Sequence, residues 1–368
     1  MLRFLHAGDL HLGSAAAAFS PRAAARRRER QLAALERLLK DAVAAGAQLF
    51  LFAGDVFDTP APDADLTARF FSILGAAPVP SLVVPGNHDF YRAGGPWTSN
   101  AIPENVYVFD TPTLSCIDFP TLNTSVWGYA FTGESSPSPT LGGSADRIEG
   151  RISLLLAHAD LTSPISPYAP ITAGQLEASG FAYAALGHIH NPGEPRRYGG
   201  TVAAYSGFFA GRGFDETGKG GALLVEIEGS HTAITPLEST ADRFERRTLD
   251  LTGATGGEEV RTRVAAYLAD CELSDDTALR LSLTGNVGLS CSPDTVVLSA
   301  LGERFALFEV IDETLPIFDA AYLEKDPTMR GAFYRAMLPR LGSADAETRA
   351  TAAEALRLGF AALSGKEV

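Results

Sequence analysis

Three short, largely apolar runs constrain the fold of this chain most: Leu2–Ala7, Gln48–Ala53 and Ser81–Val84, each soon followed by a glycine (Gly8, Gly54, Gly86). Their length suits strands buried on both faces. Helical spacing fills the gaps between them. Arg22–Ala45 carries Leu32, Leu35, Leu38, Leu39 and Val43 at helical intervals, and Gly46 follows where a helix stop belongs. Asp63, after Pro62, is the expected N-cap of a second helix that runs to Gly75. Strand, helix, strand, helix, strand in this order predicts a parallel sheet with crossover helices.

The pattern then changes. Val106–Tyr129 reads as short strands broken by proline and asparagine, and Glu134–Gly150 as a surface loop rich in Ser, Pro and Gly. Buried strands return at Ile152–Ala157 and Phe181–Leu186, separated by a proline-rich loop and a short helix near Thr172–Ser179. Val202–Tyr205, Gly221–Glu228 and Thr232–Leu237 read as further strands, mostly antiparallel. The expected class is α/β, a two-sheet sandwich flanked by helices. A boundary falls between Thr240 and Leu251, which divides the chain into a domain at 1–245 and a smaller α+β domain at 246–368. The last stretch is rich in alanine, with Ala353, Leu356, Phe360 and Leu363 on one face; that face either docks a partner or packs on its own domain.

Composition sets the outer limits. With 368 residues and 46% hydrophobic content, two domains are expected. No apolar run reaches the roughly 20 residues that cross a bilayer, and Met1–Asp9 lacks the pattern of a secretory signal. The chain therefore reads as cytoplasmic, with no membrane partner. Cys116, Cys271 and Cys291 are far apart and read as reduced thiols. A formal charge of −14 argues against a protein that coats nucleic acid. It does not exclude an enzyme acting on nucleic acid, because two bound divalent cations would add about four positive charges at the phosphate. Arg22, Arg26, Arg27, Arg28 and Arg30 form a local exception. They are either a phosphate-contacting face or the solvated start of a helix.

Chemistry gathers at the expected strand ends. Asp9 and His11 follow the first strand, Asp55 the second, and Asn87, His88 and Asp89 the third; His158, His188 and His190 follow two later strands. In α/β sheets, sites form outside those ends. Oxygen from Asp and Asn with nitrogen from His, and no thiol, suits Mn²⁺, Fe or Zn²⁺. Two divalent ions about 3.5–4 Å apart need a bridging carboxylate, for which Asp55 is the candidate. Asp9, His11 and His190 are assigned to one ion, and Asn87, His158 and His188 to the other. His88 is left over and becomes the general acid, with Asp89 orienting its ring. The implied reaction is hydrolysis of a phosphate ester. An activated water attacks phosphorus in line, and His88 protonates the departing oxygen.

The ordered set D-x-H, G-D, G-N-H-D, H and G-H-x-H resembles the calcineurin-like metallophosphoesterases. His6–Gly13 and Gly54–Asp58 resemble the Mre11/SbcD-type DNA-repair nucleases, and Tyr205–Gly221 resembles the segment after G-H-I-H in the bacterial SbcD/YhaO-like branch. Ser/Thr phosphatases carry an arginine soon after the bridging aspartate, where this chain has Thr59 and Pro60. The resemblance covers about residues 1–250 and makes the remainder a capping domain by placement and length. It implies a Mn²⁺-dependent DNA phosphodiesterase, an exonuclease with a single-strand endonuclease activity as a variant. It also implies an SMC-like coiled-coil ATPase as partner and leaves a homodimer open. Archaeal and eukaryotic members have a second His three residues after the bridging Asp, where this chain has Asp58.

Other readings remain. Phe208, Phe209 and Arg212 are candidate nucleic-acid contacts through stacking and charge, while core packing is expected for at least one of the two phenylalanines. His6 reads as a packed residue of the first strand and His231 as a surface turn. A small-molecule or cyclic-nucleotide phosphodiesterase would show the same ligands, and a non-catalytic scaffold for an ATPase would not need His88.

Overall fold

The computed structural model describes the chain except for residues 15–18, 20, 99–101, 289–290, 292, 317–319 and 364–368. It divides into two compact units, Met1–Phe244 and Glu245–Val368.

The first unit begins with β1 (Leu2–Ala7), α1 (Pro21–Ala44), β2 (Leu49–Phe52), α2 (Ala64–Gly75), β3 (Ser81–Val83) and β4 (Val106–Val108). β5 (Ser115–Phe119), β6 (Thr124–Gly128), β7 (Ile152–His158), α3 (Ala173–Ser179), β8 (Tyr183–Gly187), β9 (Arg196–Tyr198), β10 (Thr201–Tyr205), β11 (Gly221–Glu228) and β12 (His231–Glu238) complete it. The helix ends follow local chemistry. The Asp63 carboxylate accepts from the amides of Asp65 and Leu66 and caps α2, as its sequence position predicts. Thr172 and Gln175 form a reciprocal capping box at the start of α3.

The strands form two six-stranded sheets, β12-β11-β1-β2-β3-β4 and β5-β6-β7-β8-β10-β9. β1, β2 and β3 are parallel neighbours, with Ala7 opposite Phe52 and Phe52 opposite Val83. β7 and β8 are parallel, with His158 opposite Gly187. β11 and β12 pair antiparallel, as expected. β10 pairs antiparallel with β9 on one side and parallel with β8 on the other, because β9 turns the chain back between them.

Alternation along each strand builds the layers. Leu49 and Leu51 face the second sheet, where Leu154, Leu156 and Ala185 meet them. Phe50 and Phe52 point the other way, onto Leu35 and Leu38 of α1 and Phe70 of α2. Leu155, Ala184 and Leu176 form the outer core on the far side. The central strands read as unbroken apolar runs because both faces are covered.

His6 is a polar member of the layer between the sheets and is fully buried. Its Nε2–H donates to the Leu186 carbonyl at 3.1 Å, and its Nδ1 accepts from the Tyr183 hydroxyl at 3.0 Å. Burial pushes its pKa from 6.5 down to about 3. The sequence reading of His6 as a packed strand residue matches this.

Glu245–Val368 has its own cores. Its sheet runs β13 (Phe244–Asp250), β14 (Ala278–Thr284) and β16 (Leu307–Asp312), with β14 and β16 parallel; β15 (Asn286–Val287) pairs separately with β17 (Leu315–Pro316). Val260, Val264 and Leu268 of α4 (Gly257–Asp270) pack on Leu279, Leu281 and Leu283. After α5 (Thr295–Ser299) and α6 (Ala320–Leu323), α7 (Met329–Leu341) and α8 (Ala346–Leu363) pack on each other through Tyr334, Met337, Leu356 and Phe360. Leu356 and Phe360 are thus buried within their own unit, while Leu363 is 42% exposed; the Ala353 side chain lies outside the described residues. Among the described residues, no helix is long and apolar enough to cross a membrane. Among the described residues, Cys116, Cys271 and Cys291 form no disulfide.

His6 yields a pH-dependent prediction. A base buried neutral with a lowered pKa leaves the unfolded chain binding more protons, so stability falls as pH drops from 6.5 towards about 3. The His6→Phe/Tyr183→Phe double variant should show a flatter urea-unfolding stability across that window. His6→Phe alone should cost about 1–3 kcal/mol, because it leaves the Tyr183 hydroxyl unpaired. An unchanged slope in the double variant would reject the assignment.

Candidate metal centre

The parallel register brings the exits of β1, β2 and β3 side by side, and the loops beyond them are pinned together. Asp9 N–H donates to the Gly54 carbonyl at 3.0 Å, His11 N–H to Asp55 at 2.9 Å and Leu12 N–H to Val56 at 2.8 Å. Asp9, His11, Asp55 and His158 are all buried.

Two groups of ligand atoms that share Asp9 converge, each lying within 4.8 Å of one another: Asp9, His11 and His190, and Asp9, Asp55 and His158; a third, His11, Asp58 and His88, lies beside them. Asp55 Oδ2 lies 3.7 Å from His11 Nε2 and 3.4 Å from His158 Nε2, between the two groups. Its other oxygen accepts from the His88 backbone N–H at 2.9 Å, which leaves Oδ2 facing the site. Asn87 Oδ1 stands 2.9 Å from His158 Nε2, and the His188 ring packs against His158 with centroids 5.2 Å apart. Asp9, His11, Asp55, His158 and His190 thus converge with Asn87 beside them, whereas His188 joins none of these groups and adjoins them through its ring contact with His158.

The rings are oriented from behind. His158 Nδ1–H donates to the Ala53 carbonyl at 3.0 Å, His11 Nδ1–H to Asp58 at 2.9 Å and His190 Nδ1–H to Glu216 at 2.6 Å. Each ring then presents a bare Nε2. The Nε2 atoms of His11 and His190 face each other at 3.2 Å, with Asp9 Oδ1 3.7 Å from His190 Nε2. Two lone pairs and a carboxylate aimed at one space have no donor among them. The set fits a cation with a preference for nitrogen and oxygen.

Electrostatics agree. Burial and then the neighbouring charge of Asp55 push the Asp9 carboxyl well above the usual carboxylate range. Burial and His158 hold His188 at about 4, so that imidazole is neutral and able to ligate near pH 7.

The backbone is strained here. Among the described residues, the non-glycine positions at positive φ are Asp9 (49°), His11 (43°), Asp55 (50°), His188 (107°), Asn123 and Ala169. Four of them are nominated ligands, and such conformations cost roughly 1–3 kcal/mol each. The His188 amide is held by both Asp9 oxygens, at 3.0 Å each. Two glycines are needed for space. A Cβ on Gly86 would stand 2.1 Å from Asp55 Oδ1, and one on Gly54, at φ +87°, would stand 2.6 Å from the His158 ring.

Three sequence expectations are corrected. Asp89 does not orient the His88 ring: its fully buried carboxylate accepts from the Gly86 N–H at 2.7 Å and the Phe57 N–H at 3.0 Å, and so shapes the loop. Burial and the charge of Asp55 push its pKa up to about 8. The residue beside His88 is Asp58, whose backbone carbonyl accepts from His88 Nδ1–H at 3.3 Å. Phe208 is buried and offers no exposed stacking face. The Arg212 guanidinium is engaged by Glu216 at 2.8 Å and Asp58 at 3.4 Å, with Nη2 2.9 Å from His190 Nδ1, so it stands behind the ligands. The arginine run also splits. Arg27 is buried and Arg30 pairs with Asp242 at 2.6 Å, whereas Arg22, Arg26 and Arg28 are exposed.

Sequence reasoning missed Glu216 and the roles of Asp58 and Asp89. Glu216 sits in a glycine-rich turn with no motif of its own, and its partners are distant in sequence.

Gly86→Ala should displace Asp55 while leaving the sheets intact. Cation content measured by mass spectrometry should fall, and any hydrolytic turnover should drop about 100-fold, as expected for a displacement near 1 Å. Full cation content in a folded Gly86→Ala variant would show that this close approach is dispensable.

The family model described as calcineurin-like phosphoesterase matches residues 2–192. The chain is 27% identical over 266 residues to the uncharacterized metallophosphoesterase YhaO of Bacillus subtilis (strain 168), a match covering 69% of this chain and 64% of that protein. It is 28% identical over 340 residues to the DNA double-strand break repair protein Mre11 of Haloferax volcanii, covering 89% of this chain and 71% of that protein.

Proposed function

The chain belongs to the calcineurin-like phosphoesterase family, and we propose that it is a Mn²⁺-dependent phosphodiesterase that cleaves DNA. The observation that carries this reading is the convergence of Asp9, His11 and His190 beside Asp9, Asp55 and His158. Asp9, His11 and His190 would hold one ion and Asn87, His158 and His188 the other, with Asp55 between them. A pair of divalent cations supplies Lewis acidity and a water acidic enough to ionise near neutral pH.

The chain's own residues supply the rest. Asp55 Oδ2 is turned to the site by the His88 amide. The His88 side chain is 42% exposed and its ring stands edge-on to His11, with centroids 4.9 Å apart. Its Nδ1–H is given to the Asp58 carbonyl, so the proton delivered to the departing oxygen is carried on Nε2. This makes His88 the general acid and leaves Asp89 as a loop-shaping residue.

DNA is preferred over a small phosphodiester because the similarity to the Haloferax repair protein extends over 89% of this chain. The net charge of −14 is compatible, since the cations would carry the local attraction for phosphate. An SMC-like coiled-coil ATPase is the proposed partner, and Glu245–Val368 the proposed unit that meets it.

Incubating the chain with Mn²⁺ and labelled single-stranded DNA, beside a cyclic nucleotide, tests the substrate. Cleavage of DNA is expected; hydrolysis of the cyclic nucleotide alone would move the assignment to small molecules. His88→Ala should lower turnover by about 10²–10⁴-fold with both cations still bound. Unchanged turnover, or loss of both cations, would remove His88 from that role.

A further inference from the structure

The two imidazoles that face one cation position are fixed from behind by a single ion-paired strap. His190 gives its Nδ1–H to Glu216, and His11 gives its own to Asp58. Arg212 lies between these carboxylates, although Asp58 is 154 positions away in sequence. Its Nε and Nη2 donate to Glu216 Oε1 at 3.1 and 2.8 Å, Nη2 standing 2.9 Å from His190 Nδ1, which converges on the same oxygen, and its Nη1 donates to Asp58 Oδ1 at 3.4 Å. A planar guanidinium can span two acceptors in this way, whereas a lysine ammonium is a point charge.

The strap is built into the fold. The Glu216 side chain is only 4% exposed, so screening by salt is weak there. Its second oxygen accepts from the Arg212 backbone N–H at 2.9 Å, which closes the loop on itself. The preceding residue is anchored too: the Gly211 carbonyl accepts from Arg27, whose buried guanidinium lies 5.6 Å from the Phe19 ring centroid and 5.3 Å from that of Phe244.

We propose that Arg212 is a positioning residue for one half of the metal centre. Through Glu216 and Asp58 it keeps His190 and His11 in the Nδ1–H tautomer, and it thereby sets the affinity of one cation without touching it. The proposal rests on the reading that Asp9, His11 and His190 hold an ion, and it is independent of whether DNA is the substrate.

Titrating Mn²⁺ into the metal-stripped full-length chain, with free ion counted by electron paramagnetic resonance, tests it. The wild-type chain should bind two equivalents. Arg212→Met and Glu216→Gln should each weaken one equivalent by about 10–100-fold and leave the other unchanged. Arg212→Lys should recover only part of the loss. ¹⁵N-histidine spectra should show the His11 and His190 rings as Nδ1–H imidazoles in the wild type, beside those of His88 and His158, and the His190 ring as a tautomeric mixture in Glu216→Gln. If Arg212→Met does not fold, Arg212→Lys and Asp58→Asn decide by the same count. Wild-type affinity for both equivalents in the variants, or equal weakening of both, overturns the strap alone. A wild-type chain that binds no Mn²⁺ overturns the strap and the cation reading together.

Discussion

Asp9 and Asp55 place two buried carboxylates within 4.8 Å of each other, ringed by imidazoles whose bare nitrogens point inward. Such an arrangement repels itself in the absence of positive charge. Much of the surrounding structure serves to hold it in place. The loops after β1 and β2 are joined through four backbone hydrogen bonds, the His188 amide sits on Asp9, and the His88 amide sits on Asp55. The rigidity comes from the sheets, whose apolar layers leave the strand ends no freedom to separate. The polar centre is therefore held by packing energy gained elsewhere.

Each side of the centre is oriented by a different kind of group. His158 leans on the Ala53 backbone carbonyl, so the strand itself fixes its ring. His190 and His11 lean on carboxylates that belong to an ionic network. One half is thus set by backbone geometry and the other by side-chain electrostatics. The second half is the one that substitutions could tune without disturbing the fold.

The fold was legible in the sequence wherever one residue type has one local consequence. Unbroken apolar runs marked the buried strands, Asp63 marked the α2 cap, and ligands just past strand ends pointed to a shared pocket. Legibility failed where partners meet only through tertiary structure. Asp89 follows His88 directly, which suggested a pair, yet a turn aims its carboxylate at the Gly86 and Phe57 amides. Nothing in the spacing joins Glu216 to His190. Within the arginine run the residues are chemically identical. Only the helix phase sends Arg27 between Phe19 and Phe244 while Arg26 and Arg28 face water. The parallel pairing of Val202–Tyr205 with β8 was not legible, because it depends on β9 turning the chain between them, which the strand's own residues do not record.

The left-handed backbone at the ligand positions narrows what this centre can be made from. Outside glycine, the side chains that tolerate that conformation best are aspartate, asparagine and histidine. Asp9, His11, Asp55 and His188 belong to that small group. These are also the side chains that offer oxygen or nitrogen to a borderline ion. Glutamate or cysteine could ligate in principle, but neither shares that conformational tolerance. Coordination chemistry and chain geometry thus draw on the same short alphabet, and a drift of these positions towards other ligand types would first have to unbend the loops.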